Sequence, residues 1–397
     1  MGNHGAMTDQ KTLPWRMLVQ MTRPGFLVIT AVACVLGTSV AAACGHMPNV
    51  WTALATLVLA VLMHAAANVL NDYHDALSGA DDANQHGLFP FTGGARLIQN
   101  GHVTQQDTRN LASALIMVLI PCGLLLAVKA GGGLVLLGLV GLLLGWAYSA
   151  PPLALMTRGL GEFTVALTWG LVVVGADYVQ RGQFFVIPAA VAVSFALLVG
   201  NILVINGFPD VAADAQVGKR TLVVRLGPRR AAWVYLVFAV LAYAWLFVGV
   251  RLFIHPEPAL WGVVSMPLSL WAFVLLFQHA EQPKRLVPAI VLTIAAAVLH
   301  GLAMAAGFTQ TPQTSDAGPN ATQGRRAYIS FCQRCHGINL VATSSAYYDL
   351  RTFPKDDKAR FIDSVTNGKR QMPAWGSIVK PNDIESIWLY IGGVNGW

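Results

Sequence analysis

Two acidic clusters stand out in a chain of 397 residues of which only 11% are charged. The first reads Asn68-x-x-Asn71-Asp72-Tyr73-His74-Asp75 and is followed by Gly79-Ala80-Asp81-Asp82; the second reads Asn206-Gly207-Phe208-Pro209-Asp210 and continues through Asp214 to Gly218-Lys219-Arg220. Each cluster follows a long apolar segment. One aspartate there could simply mark a polar helix end at a membrane interface. Carboxylates at membrane depth are costly, however, so two matched clusters indicate a functional site.

The spacing within each cluster suits a divalent metal ion. Asp210 and Asp214 are four residues apart and share one helix face, and Asp72 and Asp75, three residues apart, do the same. Facing pairs of carboxylates supply the oxygen ligands that Mg²⁺ takes, and Mg²⁺ commonly bridges to substrate phosphates. The adjacent Lys219-Arg220 pair is placed to bind the remaining phosphate charge.

A third chemical motif is Cys332-Gln333-Arg334-Cys335-His336, which has the C-x-x-C-H pattern of covalent haem attachment. Each thiol can form a thioether with one haem vinyl group, and His336 can then bind the iron. Met372 is the candidate for the sixth ligand, and His/Met ligation suits electron transfer. A thioredoxin-like site would need a βαβ context and a zinc site would need a second ligand pair, and neither pattern is present.

Composition places most of the chain in a membrane, because 55% of its residues are hydrophobic and soluble domains carry about 25% charged residues. A membrane-crossing helix needs about 20 apolar residues. Nine segments are candidates: 25–45, 51–70, 111–128, 132–149, 161–179, 185–206, 231–250, 259–279 and 286–306. We expect no cleavable signal peptide, since the first segment lacks a clear small-residue cleavage site. The predicted fold is all-α, a nine-helix transmembrane bundle over residues 1–307 and a small soluble all-α domain.

Basic residues predict the orientation of the bundle. With the N-terminus in the cytoplasm, thirteen basic residues fall on the cytoplasmic side: Lys11, Arg16, Arg23, Arg96, Arg109, Arg158, Lys219, Arg220, Arg225, Arg229, Arg230, Lys284 and Arg285. Only Lys129, Arg181 and Arg251 fall on the other side. This bias follows the positive-inside rule and argues against nucleic-acid binding as the reason for the net charge of +7. Nine spans would place the C-terminal domain in the periplasm of a bacterial inner-membrane protein.

Residues 308–323 are rich in Thr, Pro, Gly and Gln, which predicts a flexible linker. The following domain, 324–397, is short enough that its core is marginal unless a covalent haem helps to fill it. It resembles class I cytochromes c, and the stretch from Tyr348 to Lys369 is similar to cytochromes that serve quinoprotein alcohol dehydrogenases. The resemblance implies a periplasmic redox partner, such as a quinoprotein dehydrogenase or an oxidase.

At the acidic clusters, residues 1–307 resemble the UbiA superfamily of intramembrane aromatic prenyltransferases. The first cluster matches the N-D-x-x-D motif of that family, and the second matches its D-x-x-x-D motif with the trailing G-K-R-T-L. The branch that prenylates 1,4-dihydroxy-2-naphthoate for menaquinone synthesis is the most similar. It shares the S-G-x-D continuation at Gly79 and Asp81, the Y-S-A-P-P run from Tyr148, R-G-L-G-E from Arg158, and the segment from Gly93 to Gly101. The N-N-I-R-D of that branch is N-G-F-P-D here, so Gly207 and Pro209 replace an Asn and an Arg.

The resemblance implies transfer of a polyprenyl group from polyprenyl diphosphate to an aromatic acceptor, with Mg²⁺ held by Asp72, Asp75, Asp210 and Asp214. Tyr148 joins those aspartates as a catalytic candidate. The substrate-binding candidates are Asn68, Asn71, Arg96, Arg158, Lys219 and Arg220. Two other functions remain open: an electron-transfer cytochrome whose nine-helix part is only an anchor, and a transporter, although broken-helix signals around a midplane site are missing.

Overall fold

A computed structural model describes residues 13–44, 46–84, 87–252, 254–255, 257–309, 318–342, 344–345, 347–376 and 379–397. Lys11 and residues 310–317 of the predicted linker lie outside these ranges. Within them the secondary structure is helical, and the single β-bridge joins Lys369 to Met372. The predicted all-α class is confirmed.

The main helices of the membrane bundle are numbered here in chain order: α1 Pro24–Ala43, α2 Val50–Ser78, α3 Gln105–Ala130, α4 Gly133–Ser149, α5 Gly161–Arg181, α6 Val186–Gln216, α7 Pro228–Arg251, α8 Glu257–His279 and α9 Val287–Thr309. The first part of α8, Glu257–Ser265, is a 3-10 helix. Short helices precede or connect these elements: Trp15–Met21, Ala80–Ala83, Leu155–Arg158, Leu222–Leu226 and Pro283–Arg285.

The predicted count of nine spans is slightly off. Eight helices in the described part of the chain are long and apolar enough to cross a membrane, whereas α4 has 17 residues, or about 25 Å. It ends at Ser149 because Pro151 follows, and proline cannot continue a helix. Even so, α4 runs between the two ends of the bundle. The Gly133 amide donates to the Tyr178 hydroxyl near the end of α5 (2.9 Å), while Tyr148 lines a cavity at the opposite end.

Local sequence explains the helix boundaries nearest the acidic clusters. The Asn49 side chain accepts from the backbone N–H groups of Trp51 and Thr52 and so caps the start of α2. The helix ends at Gly79, whose φ of 74° is unfavourable for residues with a Cβ. Pro24 starts α1 at its first position, where the missing N–H group costs nothing.

Close helix packing forms the centre of the bundle, where α1, α5, α6 and α9 share one apolar core. Gly37 of α1 lies so near α5 that a Cβ there would stand 2.2 Å from the Val173 carbonyl oxygen. Gly301 of α9 leaves similar room for Val32 and Phe195. Small residues at helix contacts are the usual device by which membrane helices approach.

The C-terminal domain has three main helices, Ala321–Phe331, Lys358–Asn367 and Pro381–Asn395, joined by short turns at Gln333–His336, Ile338–Leu340 and Leu350–Thr352. Its first and last helices pack together around Tyr328 and Ile391. Phe331 also contacts Phe185, just before α6, with ring centroids 5.8 Å apart. The domain therefore lies at the end of the bundle where α6 begins.

Candidate functional site

The two acidic clusters meet where α2 and α6 end. Lys219 joins them, with its Nζ 2.6 Å from Asp75 Oδ1 and 3.7 Å from Asp214 Oδ1. Asp75, Asp210 and Asp214 line one polar cavity together with Asp81. Sequence spacing predicted the pairs on each helix, and the fold brings the two helix ends together.

The connecting segments complete the wall of this acidic cavity. Asn84, after the short helix Ala80–Ala83, donates to Asp210 Oδ1 at 2.6 Å. Asn206, one turn before Asp210, lines the same cavity, and its buried Oδ1 has no hydrogen-bond partner in the described part of the chain. Such an orphaned oxygen in a polar cavity can accept a hydrogen bond or a cation.

Asp72 differs from the other three predicted ligands because it does not line the acidic cavity. Arg23, just before α1, forms an ion pair with Asp72 and also contacts Asn71 Oδ1 at 3.3 Å. The Ala95 amide donates to Asp72 at 3.2 Å. Gly94 must be glycine here, since its φ is 73° and a Cβ would lie 2.8 Å from Asp81 Oδ2. Asp72 therefore holds Arg23 and the loop that contains Gly94 and Ala95 at the rim of the acidic cavity.

The acidic cavity is lined by more carboxylates than cationic side chains. Burial lowers the pKa of Lys219, but the carboxylates of Asp75 and Asp214 outweigh this effect and raise its pKa, so the ammonium stays charged. Burial, followed by the negative charges of Asp75 and Asp72, raises the pKa of Asp81 to about 8. Without a further cation, Asp81 therefore holds a proton at neutral pH.

These residues fit a magnesium ion. Four aspartates offer carboxylate oxygens to the cavity, Lys219 already occupies a cation position between two of them, and Asn206 offers an oxygen without a hydrogen-bond partner among the described residues. Among the described residues no three Asp, Glu, His or Cys side chains converge as a complete ligand shell. Mg²⁺ usually keeps several waters and binds through one or two carboxylates together with substrate phosphates.

The remaining predicted residues divide into two groups. Tyr148 and Asn71 line the acidic cavity, and Asn68 lines the apolar cavity beside it. Three arginines lie outside both cavities: Arg96 donates to the carbonyls of Asp81 and Asn84, Arg158 donates to the Pro152 carbonyl, and the Arg220 side chain is exposed. Arg96 therefore holds the loop that carries Asn84 in place.

The apolar cavity extends from the acidic one into the bundle. The two share a boundary formed by Arg23, Asn71, Phe91, Tyr148, Leu203 and Asn206. Beyond it the lining is mainly aliphatic and aromatic, with Ile29, Val172 and Ile202 among its walls. The site can therefore hold a molecule with a charged head and a long apolar tail.

The C-terminal motif forms a second, separate site. Cys335 lies in the turn Gln333–His336 and Cys332 comes directly before it, while His336 Nδ1 lies 2.9 Å from the Tyr348 carbonyl. A proton on Nδ1 would leave Nε2 to bind a metal, the arrangement that carbonyl partners give to ligating histidines. Met372 is held by two backbone hydrogen bonds with Lys369 and packs with Cys332 against the domain core. The donor set fits a covalently bound haem.

Sequence analysis missed Arg23, Asn84 and Asn206 as parts of the site. Arg23 counted only as a cytoplasmic basic residue, because nothing in its spacing relates it to Asp72, 49 positions later. Asn206 stood inside the quoted motif but carried no assigned role. Asn84 follows the first cluster closely, and a polar side chain just after an acidic motif is the signal that could have drawn attention to it.

Comparison with known families agrees with this architecture. Residues 27–288 match the UbiA prenyltransferase family, and residues 319–391 match the family described as cytochrome C oxidase, cbb3-type, subunit III. The second match confirms a cytochrome c domain. That family is described by an oxidase subunit, and the resemblance to the cytochromes of quinoprotein dehydrogenases stays a prediction.

Curated relatives and solved structures point the same way. The 1,4-dihydroxy-2-naphthoate octaprenyltransferase of Bacillus subtilis is 27% identical over 306 residues, which cover 77% of this chain and 96% of that protein. The enzyme of that name from Escherichia coli is 31% identical over 230 residues, 56% of this chain and 72% of that one. A UbiA homologue from Aeropyrum pernix shares the fold, with a TM-score of 0.51, 18% identity and coverage of 69% of this chain and 96% of that chain. This multi-pass membrane protein belongs to the UbiA prenyltransferase family and carries a fused cytochrome c domain.

Proposed function

We propose that this prenyltransferase uses Mg²⁺ to transfer a polyprenyl group from its diphosphate to an aromatic quinone precursor, 1,4-dihydroxy-2-naphthoate or a close relative. The observation that carries the proposal is the junction of the two cavities. A polyprenyl diphosphate has a charged head and an apolar tail. The carboxylates and Lys219 would hold the head through Mg²⁺, while the apolar cavity would take the tail.

The chain's own residues would act on both sides of the breaking bond. When bound, Mg²⁺ would supply positive charge that neutralises the diphosphate, the leaving group of the reaction. Lys219 and Arg23 stabilise the departing diphosphate, and the apolar walls keep water from the allylic cation. The aromatic ring attacks this cation and forms the new C–C bond, and the ring then loses a proton or, for the naphthoate, carbon dioxide. Tyr148, which lines both cavities, would face the cation.

The candidate metal ligands are Asp75, Asp210, Asp214 and Asp81, of which one or two would bind a given Mg²⁺ together with the diphosphate. Asp72, predicted as a direct ligand, would contribute through Arg23 while that ion pair holds. The acceptor is inferred from the relatives that are named as 1,4-dihydroxy-2-naphthoate octaprenyltransferases.

The cytochrome domain would carry electrons at the other face of the membrane. Cys332 and Cys335 would attach the haem, and His336 and Met372 would bind its iron. Phe185, which contacts this domain, lies 25 residues before Asp210 on the continuous helix, about 38 Å away along its axis. With the N-terminus in the cytoplasm of a bacterial inner membrane, the cytochrome would be periplasmic. The fusion would then keep the two domains in the same membrane without coupling their reactions.

A prenyl-transfer assay on the purified full-length chain tests this proposal. The reaction contains polyprenyl diphosphate and 1,4-dihydroxy-2-naphthoate, with either Mg²⁺ or EDTA, and mass spectrometry detects the product. We expect a prenylated, decarboxylated product with Mg²⁺ and none with EDTA. If a different hydroxylated aromatic compound gives a product and the naphthoate gives none, that compound would replace 1,4-dihydroxy-2-naphthoate as the proposed acceptor. No product and no diphosphate release with any acceptor of a broad panel would favour the anchor function.

A further inference from the structure

A small polar cluster lies inside the apolar cavity, away from the acidic residues. His64 of α2 has its Nδ1 2.8 Å from the Thr30 hydroxyl of α1. The His64 ring also packs edge-on against Trp169 of α5, with centroids 4.8 Å apart and planes at 88°. All three residues line the cavity, together with aliphatic side chains. The cluster therefore places hydrogen-bonding groups where the surroundings are otherwise apolar.

The cluster has hydrogen-bonding capacity that the protein itself does not use. The Trp169 indole N–H is buried and has no partner among the described residues. Thr30 engages the Nδ1 of His64, which leaves Nε2 for another partner. A buried polar group without a hydrogen-bond partner destabilises the site that contains it. A polyprenyl tail cannot satisfy either group, because it has no donor and no acceptor.

Hydrogen-bond chemistry narrows the ligand. The indole N–H can only donate, so the ligand atom near Trp169 must accept. His64 Nε2 donates in one tautomer and accepts in the other, and a hydroxyl group suits both. The cluster has no permanent positive charge, whereas Arg23 stands at the cavity boundary, so a carboxylate would bind there and not at the cluster. The groups together suit a neutral hydroxyl on an aromatic ring.

The position also fits an acceptor. His64 precedes Asp72 by eight residues on α2, which is about 12 Å along the helix axis. The cluster thus lies beyond the reacting end of a diphosphate that is held by the acidic residues. We propose that His64 and Trp169 form the subsite that binds a phenolic hydroxyl of the acceptor, with Thr30 orienting the imidazole. This inference rests on the proposed prenyl transfer and specifies which residues recognise its aromatic substrate.

Trp169→Phe is the most direct test, because it keeps an aromatic ring and removes the N–H group. The matched control is Trp233→Phe, which changes an indole that is 53% exposed and outside both cavities. Loss of one hydrogen bond predicts a rise of about five- to tenfold in the KM for 1,4-dihydroxy-2-naphthoate. The KM for polyprenyl diphosphate should not change, and the control should match the wild type in both.

Acceptor discrimination provides a second measurement. The wild type should bind the dihydroxy acceptor more tightly than its mono-O-methyl ether, and His64→Leu should remove most of that preference. Equilibrium binding of the radiolabelled dihydroxy acceptor and of its methyl ether is measured without polyprenyl diphosphate. The ratio of the two dissociation constants gives the preference even if no turnover occurs. Tight binding without turnover would therefore contradict the proposed reaction and leave the subsite standing. An unchanged acceptor KM in Trp169→Phe, or a rise only in the KM for polyprenyl diphosphate, would overturn the subsite and assign the cluster to the tail.

Discussion

Replacing Lys219 by methionine should destabilise the metal-free protein and make its stability depend strongly on Mg²⁺. Lys219 is the cation between Asp75 and Asp214, and its side chain is only 7% exposed. Removing one partner of a buried ion pair costs about 3–5 kcal/mol, because the other charge is left uncompensated. Proton uptake by the carboxylates would relieve part of this cost, so we expect a loss of about 3 kcal/mol.

Magnesium should restore most of that loss. A ligand that binds only the folded state, at 100 times its dissociation constant, adds about 2.7 kcal/mol. This gain from Mg²⁺ nearly equals the loss expected for Lys219→Met. Mg²⁺ would stabilise the variant because it neutralises the same carboxylates. The wild type should gain less from Mg²⁺, because Lys219 already supplies one positive charge. The free energies of unfolding of Lys219→Met and the wild type should therefore differ greatly in EDTA and only slightly in saturating Mg²⁺.

Reversible unfolding by SDS, followed by circular dichroism in EDTA and in Mg²⁺, measures both differences. Lys284→Met is the matched control, because Lys284 is exposed in the short helix Pro283–Arg285 and lines neither cavity. An exposed substitution of this kind should change the free energy of unfolding by no more than about 0.5 kcal/mol. Equal stability of Lys219→Met and wild type in EDTA would refute this account of the charge balance, as would a failure of Mg²⁺ to stabilise either protein.

Two further predictions concern haem attachment and helix packing. Haem staining on denaturing gels should disappear in the double variant Cys332→Ser with Cys335→Ser, and persistent staining would contradict covalent attachment through these thiols. Gly207→Asn should destabilise the bundle by about 1–3 kcal/mol, because a Cβ at 207 would lie 2.9 Å from Val223 Cγ2. SDS unfolding measures that loss, and Val223→Ala in the same chain should recover part of it; no loss in the single variant would show that Val223 moves aside freely.

Sequence patterns predicted the features that depend on local spacing. Apolar runs located the bundle helices, since a membrane helix must satisfy all its backbone groups within one continuous segment. α4 was counted as a span because its predicted segment, 132–149, nearly coincides with the helix Gly133–Ser149, which is just too short to count among the eight long helices. The C-x-x-C-H motif identified the cytochrome domain because its chemistry lies within five consecutive residues.

The arrangement of the cavity could not be read from spacing. Whether Asp72 or Asp75 faces the cavity depends on the rotation of α2, which the packing of the bundle sets. Arg23 reaches Asp72 only because α1 begins beside the end of α2, so no local pattern reports the pair. The substitution at Gly207 looked like a loss of a family residue. In the structure it makes room for Val223, so the local packing explains it.

We propose that prenyl transfer takes place in the acidic cavity. The most direct measurement compares kcat for Mg²⁺-dependent product formation in wild type, Asp210→Asn and Asp356→Asn, the last an exposed aspartate of the cytochrome domain. The account predicts a loss of at least about 100-fold for Asp210→Asn, the scale at which removing one electrostatic stabiliser acts, and no change for Asp356→Asn. A wild-type rate in Asp210→Asn would contradict the account and place the reaction elsewhere in the molecule.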